Sequence, residues 1–222
     1  MVSPDTASAL LLSIRVAALA TLLNALVGIP LAYLLARRRF RGRGLVDLLT
    51  TLPLVLPPTV TGYYLIVLLG RRGWLGGPIY QATGWSVAFT WYAAVVAATV
   101  MALPLLVRTA KAAFESIDRD LERASYTLGR SELRTALEVS LPLARNGILA
   151  GLVLAFARAL GEFGATLMLA GNIPGKTATV PLAIYTAAQT GDDATALLLV
   201  GVLTVLSCAV IVAANRLGAR AT

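Results

Sequence analysis

Arg158 and Glu162 stand four residues apart inside a long apolar run. An ionisable side chain buried in a membrane costs about 2.5–3.5 kcal/mol and marks a working face. At this spacing opposite charges share one side of a helix and partly neutralise each other. Two roles are open to the pair. It can brace its helix against a neighbour or a loop, or Arg158 can line a passage and offer a transient positive charge to an anion. The first is favoured, because a strong site in a passage would retain an anion that has to leave.

Other reactive chemistry is sparse. The chain has no histidine, which excludes histidine-ligated metals and histidine general bases. Its one cysteine, Cys208, lies in an apolar run, cannot form an intrachain disulfide and reads as a small buried apolar residue. An intramembrane enzyme is the rival class, but it needs a metal cluster or a nucleophile with a base beside it, and Glu162 is the only acid deep in a span. No catalytic residue and no metal-ligand set emerges. Ala170-Gly171-Asn172-Ile173-Pro174-Gly175-Lys176-Thr177 nearly spells a phosphate-binding loop, with Ala170 in place of the first glycine. That loop works between a strand and a helix, whereas here it follows an apolar helix and runs into Pro181, so it reads as a turn-rich external loop.

The elements that carry these residues are membrane spans. Of the 222 residues 58% are hydrophobic and only 14% charged, against about 25% charged in a soluble domain. A helix needs about 20 apolar residues to cross the hydrocarbon core. Five segments qualify: Ala7–Ala36, Val46–Leu69, Ser86–Val107, Asn146–Ala170 and Ala194–Asn215. Val180–Thr190 is too short to cross and reads as an external interfacial or re-entrant helix. The expected fold is an all-α integral membrane protein, a single domain over 1–222 with its core at about 8–215 and a cytoplasmic loop at about 115–145. The N-terminus lacks the basic region of a cleavable signal, so its apolar run is kept as a span.

The net charge of +8 is distributed as a membrane protein requires, without the basic stripe of a nucleic-acid binder. Arg37, Arg38, Arg39, Arg41, Arg43, Arg108, Lys111, Arg119, Arg123, Arg130, Arg134, Arg145, Arg216 and Arg220 fall on one side, and Arg71, Arg72 and Lys176 on the other. The positive-inside bias places the N-terminus outside and the C-terminus in the cytoplasm. Arg15 snorkels to the outer boundary, where Trp74, Tyr80 and Trp85 also cluster. Arg71 and Arg72 suit either a solvated loop or contact with an acidic partner.

The second span contains Pro53, Pro57 and Pro58, followed by Thr59 and Thr61. Each proline removes a backbone donor, so this helix bends and turns its freed carbonyls toward protein or a cavity. The bend serves either packing or transport. In the loop 108–145, seven basic and six acidic residues nearly cancel. Asp118 and Asp120 suit a helix start, and Leu121, Ala124, Ser125 and Leu128 recur at helical spacing. Gly129 can close this helix, and Ser131 can cap a second one with apolar face Leu133, Ala136, Leu137 and Leu141. Pro142 marks the approach to the fourth span. The result is a helix-Gly-helix elbow.

Ala124-Ser125, Gly129 and, after nine intervening residues, Val139-Ser140-Leu141-Pro142 resemble the Glu-Ala-Ala loop of type I ABC importer permeases. Arg123 stands at the usual acidic place with Glu122 beside it, Ser125 replaces an alanine and Val139 an isoleucine; the acidic contact is therefore expected to shift to Glu122. The stretches Leu52–Pro58, Gly70–Gly73, Leu154–Thr166 and Asn172–Thr177 are similar to molybdate permeases, with Ala183-Ile184-Tyr185-Thr186 pointing the same way. Gly161-Glu162-Phe163-Gly164-Ala165 is shared with sulfate permeases, so tungstate and sulfate or thiosulfate remain alternatives. The resemblance implies a type I importer permease fold, a homodimer, two copies of an ABC ATPase subunit that bind ATP and Mg, an extracytoplasmic molybdate-binding protein, and a location in the cytoplasmic membrane. Residues 122–125, Gly129, Val139, Leu141 and Pro142 would then seat in the ATPase. Pro57, Pro58, Thr59, Thr61, Arg158 and Glu162 would border the passage.

Overall fold

The computed structural model describes residues 4–219, with side chains from Thr6 to Val212. Its elements are α1 (Pro4–Arg37), α2 (Arg43–Val55), α3 (Pro58–Leu69), α4 (Gly76–Thr83), α5 (Trp91–Glu115), α6 (Arg119–Thr127), α7 (Glu132–Thr135), a π-helical turn (Ala136–Ser140), α8 (Leu141–Leu160), α9 (Gly164–Ala170), α10 (Val180–Thr190) and α11 (Asp193–Ala219). Among the described residues four helical stretches are long and apolar enough to cross a membrane: Thr6–Arg37, Trp91–Glu115, Glu132–Leu160 and Asp193–Val212.

Two of the five expected spans are not continuous. Val46–Leu69 is split at Leu56-Pro57, where the chain is extended before Pro58 opens α3. Proline at position 58 forces its predecessor out of the helical region, and proline is well placed at the first helical position. Asn146–Ala170 is split at Gly161–Phe163, between α8 and α9. The third span also starts later than expected, at Trp91, because Phe89 takes a φ of 62° and Thr90 is extended. The segment between the second and third spans carries a short helix, α4, that its aromatic residues alone did not reveal.

The centre of the bundle is α5, packed by α1 and α8. Small residues permit the approach. A Cβ on Gly147 would meet the Ala113 Cβ at 2.3 Å, and one on Gly151 would meet Leu106 at 3.0 Å. Close backbone contact of this kind is how helices associate in lipid, where apolar burial gives little drive. By contrast α11 lies on the outside and exposes Leu197, Val205 and Ile211. Cys208 is exposed there too, a correction to its expected burial: α11 meets its neighbours on one face only, and Cys208 is on the other. The side chain of Arg216 and all of Arg220 lie outside the described residues.

The N-terminal half of α1 is pinned twice. The Arg15 guanidinium sits 4.0 Å from the ring centre of Trp91, and the Val180 N–H donates to Ser13 Oγ at 2.7 Å. Ser13 and Arg37 are about 36 Å apart along α1 at about 1.5 Å per residue. The α10 region and the polar elbow therefore occupy opposite ends of the bundle.

Candidate functional site

The elbow forms as its local signals dictate. Asp118 caps α6 by accepting the Asp120 N–H at 2.9 Å, Gly129 takes a φ of 78°, and Ser131 caps α7 by accepting from Arg134 at 3.4 Å. Its second limb differs from expectation. Rather than a separate helix, α7 runs through the π turn into α8 as one rod, and Pro142 lies within that rod. A π turn relaxes the ladder in which the proline lacks a donor.

The buried face of α6 also differs from what the apolar spacing suggests. Leu121 and Leu128 are exposed, as is Ala124, while Glu122 and Ser125 are buried. Ser125 and Thr135 pair through their hydroxyls at 2.9 Å, locking α6 to α7. Glu122 does not point outward as the shifted acidic contact. Its Oε1 accepts from Ser140 Oγ at 2.6 Å and lies 3.0 Å from Arg37 Nε, an ionic contact without hydrogen-bond alignment. The reason is Arg37 at the end of α1, a buried cation that needs a carboxylate. Arg37 Nη2 also donates to the Ile117 carbonyl at 3.3 Å. Arg123 stays at the surface, paired with Asp120 at 2.9 Å.

Further pairs frame the elbow. Arg38 Nε donates to Glu132 Oε1 at 2.8 Å, and this hydrogen bond and charge hold the Arg38 guanidinium above its ordinary pKa. Lys111 Nζ donates to Asp47 Oδ2 at 2.8 Å, joining α5 to α2. Glu138 pairs with Arg130 and Arg134. Val139 and Leu141 are half-buried, and Pro142 is exposed.

The second group lies where the two broken spans meet. A Cβ on Gly164 would stand 2.9 Å from Pro58 Cβ, and one on Gly62 would stand 2.8 Å from Ala165 Cα. α3 and α9 thus touch backbone to backbone, and the breaks at Leu56-Pro57 and Gly161–Phe163 come side by side. Pro57, Pro58 and Thr59 are exposed, and Thr61 is buried. Arg158 and Glu162 do not share one uninterrupted helix. Arg158 is in the last turn of α8 and Glu162 follows the end, yet they pair at 2.7 Å. Glu162 has a second task that its position in an apolar run hid: its Oε1 accepts the Ala165 N–H at 2.7 Å and satisfies the start of α9. Glycines 161 and 164 flanking Glu162 were the available signal.

The near-phosphate loop binds its own polar groups. Thr177 Oγ1 accepts from the Ile173 N–H at 2.9 Å, and the Lys176, Thr177 and Ala178 N–H groups all donate to the Ile173 carbonyl. Asn172 Nδ2 donates to Thr186 Oγ1 at 2.7 Å, and Phe163 meets Tyr185 with ring centres 5.2 Å apart. The loop, α10 and the break in the fourth span are thereby linked.

Membrane-length helices, adjoining breaks inside the bundle and a polar elbow at one end define a polytopic membrane protein of the transporter class. Residues 28–221 match the family described as binding-protein-dependent transport system inner membrane component, and the chain belongs to that family. It is 50% identical over 182 residues to the molybdenum transport system permease protein ModB of Escherichia coli (strain K12), covering 82% of this chain and 80% of the relative. The ModB of Mycobacterium tuberculosis is 44% identical over 192 residues, 86% of this chain and 72% of the relative. The fold is that of type I ABC importer permeases. The MetNI methionine ABC transporter, captured in inward-facing conformations, matches with a TM-score of 0.76 at 17% identity over 96% of this chain and 94% of its own. A bacterial alginate ABC transporter in complex with its pentasaccharide-bound periplasmic protein matches with a TM-score of 0.78 at 16% identity, over 98% of this chain and 80% of its own.

Proposed function

We propose that this chain is the membrane-spanning permease of a molybdate importer, acting as one domain with its N-terminus outside and its C-terminus in the cytoplasm. Two copies form the passage. Each receives one ABC ATPase subunit on the outer face of α6, and the ATPase holds ATP and Mg. An extracytoplasmic molybdate-binding protein delivers the anion on the opposite side. The observation that carries the substrate is the half-identity to relatives named as molybdenum permeases over four-fifths of both chains.

The geometry fits this task. The exposed apolar side chains Leu121, Tyr126 and Leu128 form the kind of surface that a partner covers. Because α7 and α8 are one rod, a push on the elbow reaches the fourth span directly, which is rigid-body alternating access. The Pro57–Thr59 face and half-buried Arg158 place polar groups on the subunit surface at the helix breaks, where a second copy would enclose them.

Reconstitution with the ATPase and the binding protein in sealed vesicles tests the reading. ATP-driven uptake of labelled molybdate is expected, with unlabelled molybdate and tungstate competing and sulfate competing weakly. Sulfate as the strongest competitor would move the chain to the sulfate branch, and uptake without the ATPase would refute the transporter reading.

A further inference from the structure

Arg37, Glu122 and Ser140 come from three separate elements, the end of α1, the helix α6 and the start of the α8 rod, and they meet in a site closed to solvent. The Arg37 and Glu122 side chains are only 7% and 9% exposed. We infer that Glu122 is a transmission residue rather than a docking residue, and that its buried pair with Arg37 makes the cytoplasmic end of α1 travel with the coupling helix. This rests on the proposal that α6 receives the ATPase.

The connections of α6 show why such a residue is needed. Movement of α6 reaches the fourth span through the chain itself, by way of Gly129, α7 and the π turn. No such covalent route leads to α1, which precedes α6 in sequence by the length of three membrane elements. The Arg37–Glu122 pair supplies the route, and the Arg37 bond to the Ile117 carbonyl ties the same guanidinium to the approach of α6. Ser140 fixes the carboxylate from the third side at 2.6 Å. Arg38 and Glu132 form a parallel strut at the surface, where an ion pair transmits less because solvent screens it. A buried pair is different: separating it strands a charge away from water, so its partners move together or not at all. One input at the elbow thus has two outputs, the α8 rod and the outer helix α1.

The test uses the complete transporter, with ATPase and binding protein, and measures molybdate taken up per ATP hydrolysed together with the ATPase subunit retained on purification. Glu122→Gln should retain the ATPase subunit while lowering the transport ratio about twofold to thirtyfold, the range of coupling changes for residues between sites. The charge-exchanged double variant Glu122→Arg with Arg37→Glu should recover part of that loss, and Ser140→Ala, which leaves the ion pair intact, should show a smaller loss of the same kind. Should Glu122→Gln fail to fold, Ser140→Ala and the exchanged pair carry the test. Loss of the ATPase subunit from Glu122→Gln would make Glu122 a docking residue and overturn the inference. So would an unchanged ratio in both single variants. If the unaltered complex shows no ATP-driven uptake, the transporter proposal itself fails, a result distinguishable from an unaffected variant in an active complex.

Discussion

Glu162 carries two loads, and they can be separated by substitution. One is the ion pair with Arg158; the other is the acceptor for the Ala165 N–H that opens α9. Glu162→Gln keeps an acceptor and loses the charge, whereas Glu162→Ala loses both. Removing such a cap costs about 0.5–2 kcal/mol, so Glu162→Ala should reduce membrane abundance below that of Glu162→Gln. Arg158→Ala leaves the cap in place and should lower uptake more than abundance, measured by transport assay and quantitative blotting. Equal losses of both would leave Arg158 with a structural role alone. The sequence made the charge pair visible, since its spacing is local. It concealed the helix break beneath the pair, because no proline marks Gly161–Phe163.

At the scale of elements, the two glycine positions that matter most are constrained for different reasons. Gly129 has a φ of 78° with open space around it, so Gly129→Ala costs only left-handed backbone strain, about 1–2 kcal/mol. Gly62 has no positive φ, but a Cβ added there would stand 2.7 Å from Met168 Cβ and 2.8 Å from Ala165 Cα. Gly62→Ala must separate α3 from α9, and overpacking of this kind costs about 1–3 kcal/mol. Thermal unfolding in detergent should therefore show a loss for both, while only Gly62→Ala should disturb the contact between the helix breaks, read by cross-linking cysteines placed at Thr59 and Phe163 in a Cys208→Ser background. The start of α11 offers a pH-dependent counterpart. Asp192 Oδ1 accepts the Thr195 N–H at 3.1 Å, and hydrogen bonds from Thr195 hold the Asp192 carboxyl below the usual carboxylate range. A depressed folded pKa means that the stabilisation is present above the unfolded value and disappears as pH falls through the folded one. Asp192→Ala should accordingly speed amide exchange at Thr195 at neutral pH, and the difference from the unsubstituted chain should vanish once the Asp192 carboxyl is protonated in acid.

The elements show where sequence reasoning reaches. Asp118, Gly129 and Ser131 announced the elbow correctly because caps and positive-φ turns depend on neighbours in the chain. The inward face of α6 was not legible: Leu121 and Leu128 make it look apolar, and only the burial of Arg37, far away in sequence, turns Glu122 inward. Three prolines predicted a bend in the second span, but not that α3 would become a separate helix seated against α9.

For the whole molecule, the separation of α10 and the elbow to opposite ends fixes which loops must share a side. The proposed orientation, N-terminus outside, predicts that a cysteine at Leu128 reacts with an impermeant maleimide only in inverted vesicles, and one at Lys176 only from the outside, again with Cys208→Ser. Both reacting from one side would contradict the bundle; both reacting, but from the reverse sides, would invert the orientation.

The paired breaks also bear on how the protein enters the membrane. The contact that seats α3, just after the interruption at Leu56-Pro57, comes from Gly164 and Ala165, which emerge from the ribosome long after α2 and α3. Until then the early pair confronts lipid, or whatever shelters it at the insertion site, with its packing face unfilled. Biogenesis thus has an enforced order: the second span can reach its final seat only after the fourth has been made, and a chain cut short before α9 should be left with that seat unfilled and prone to clearance.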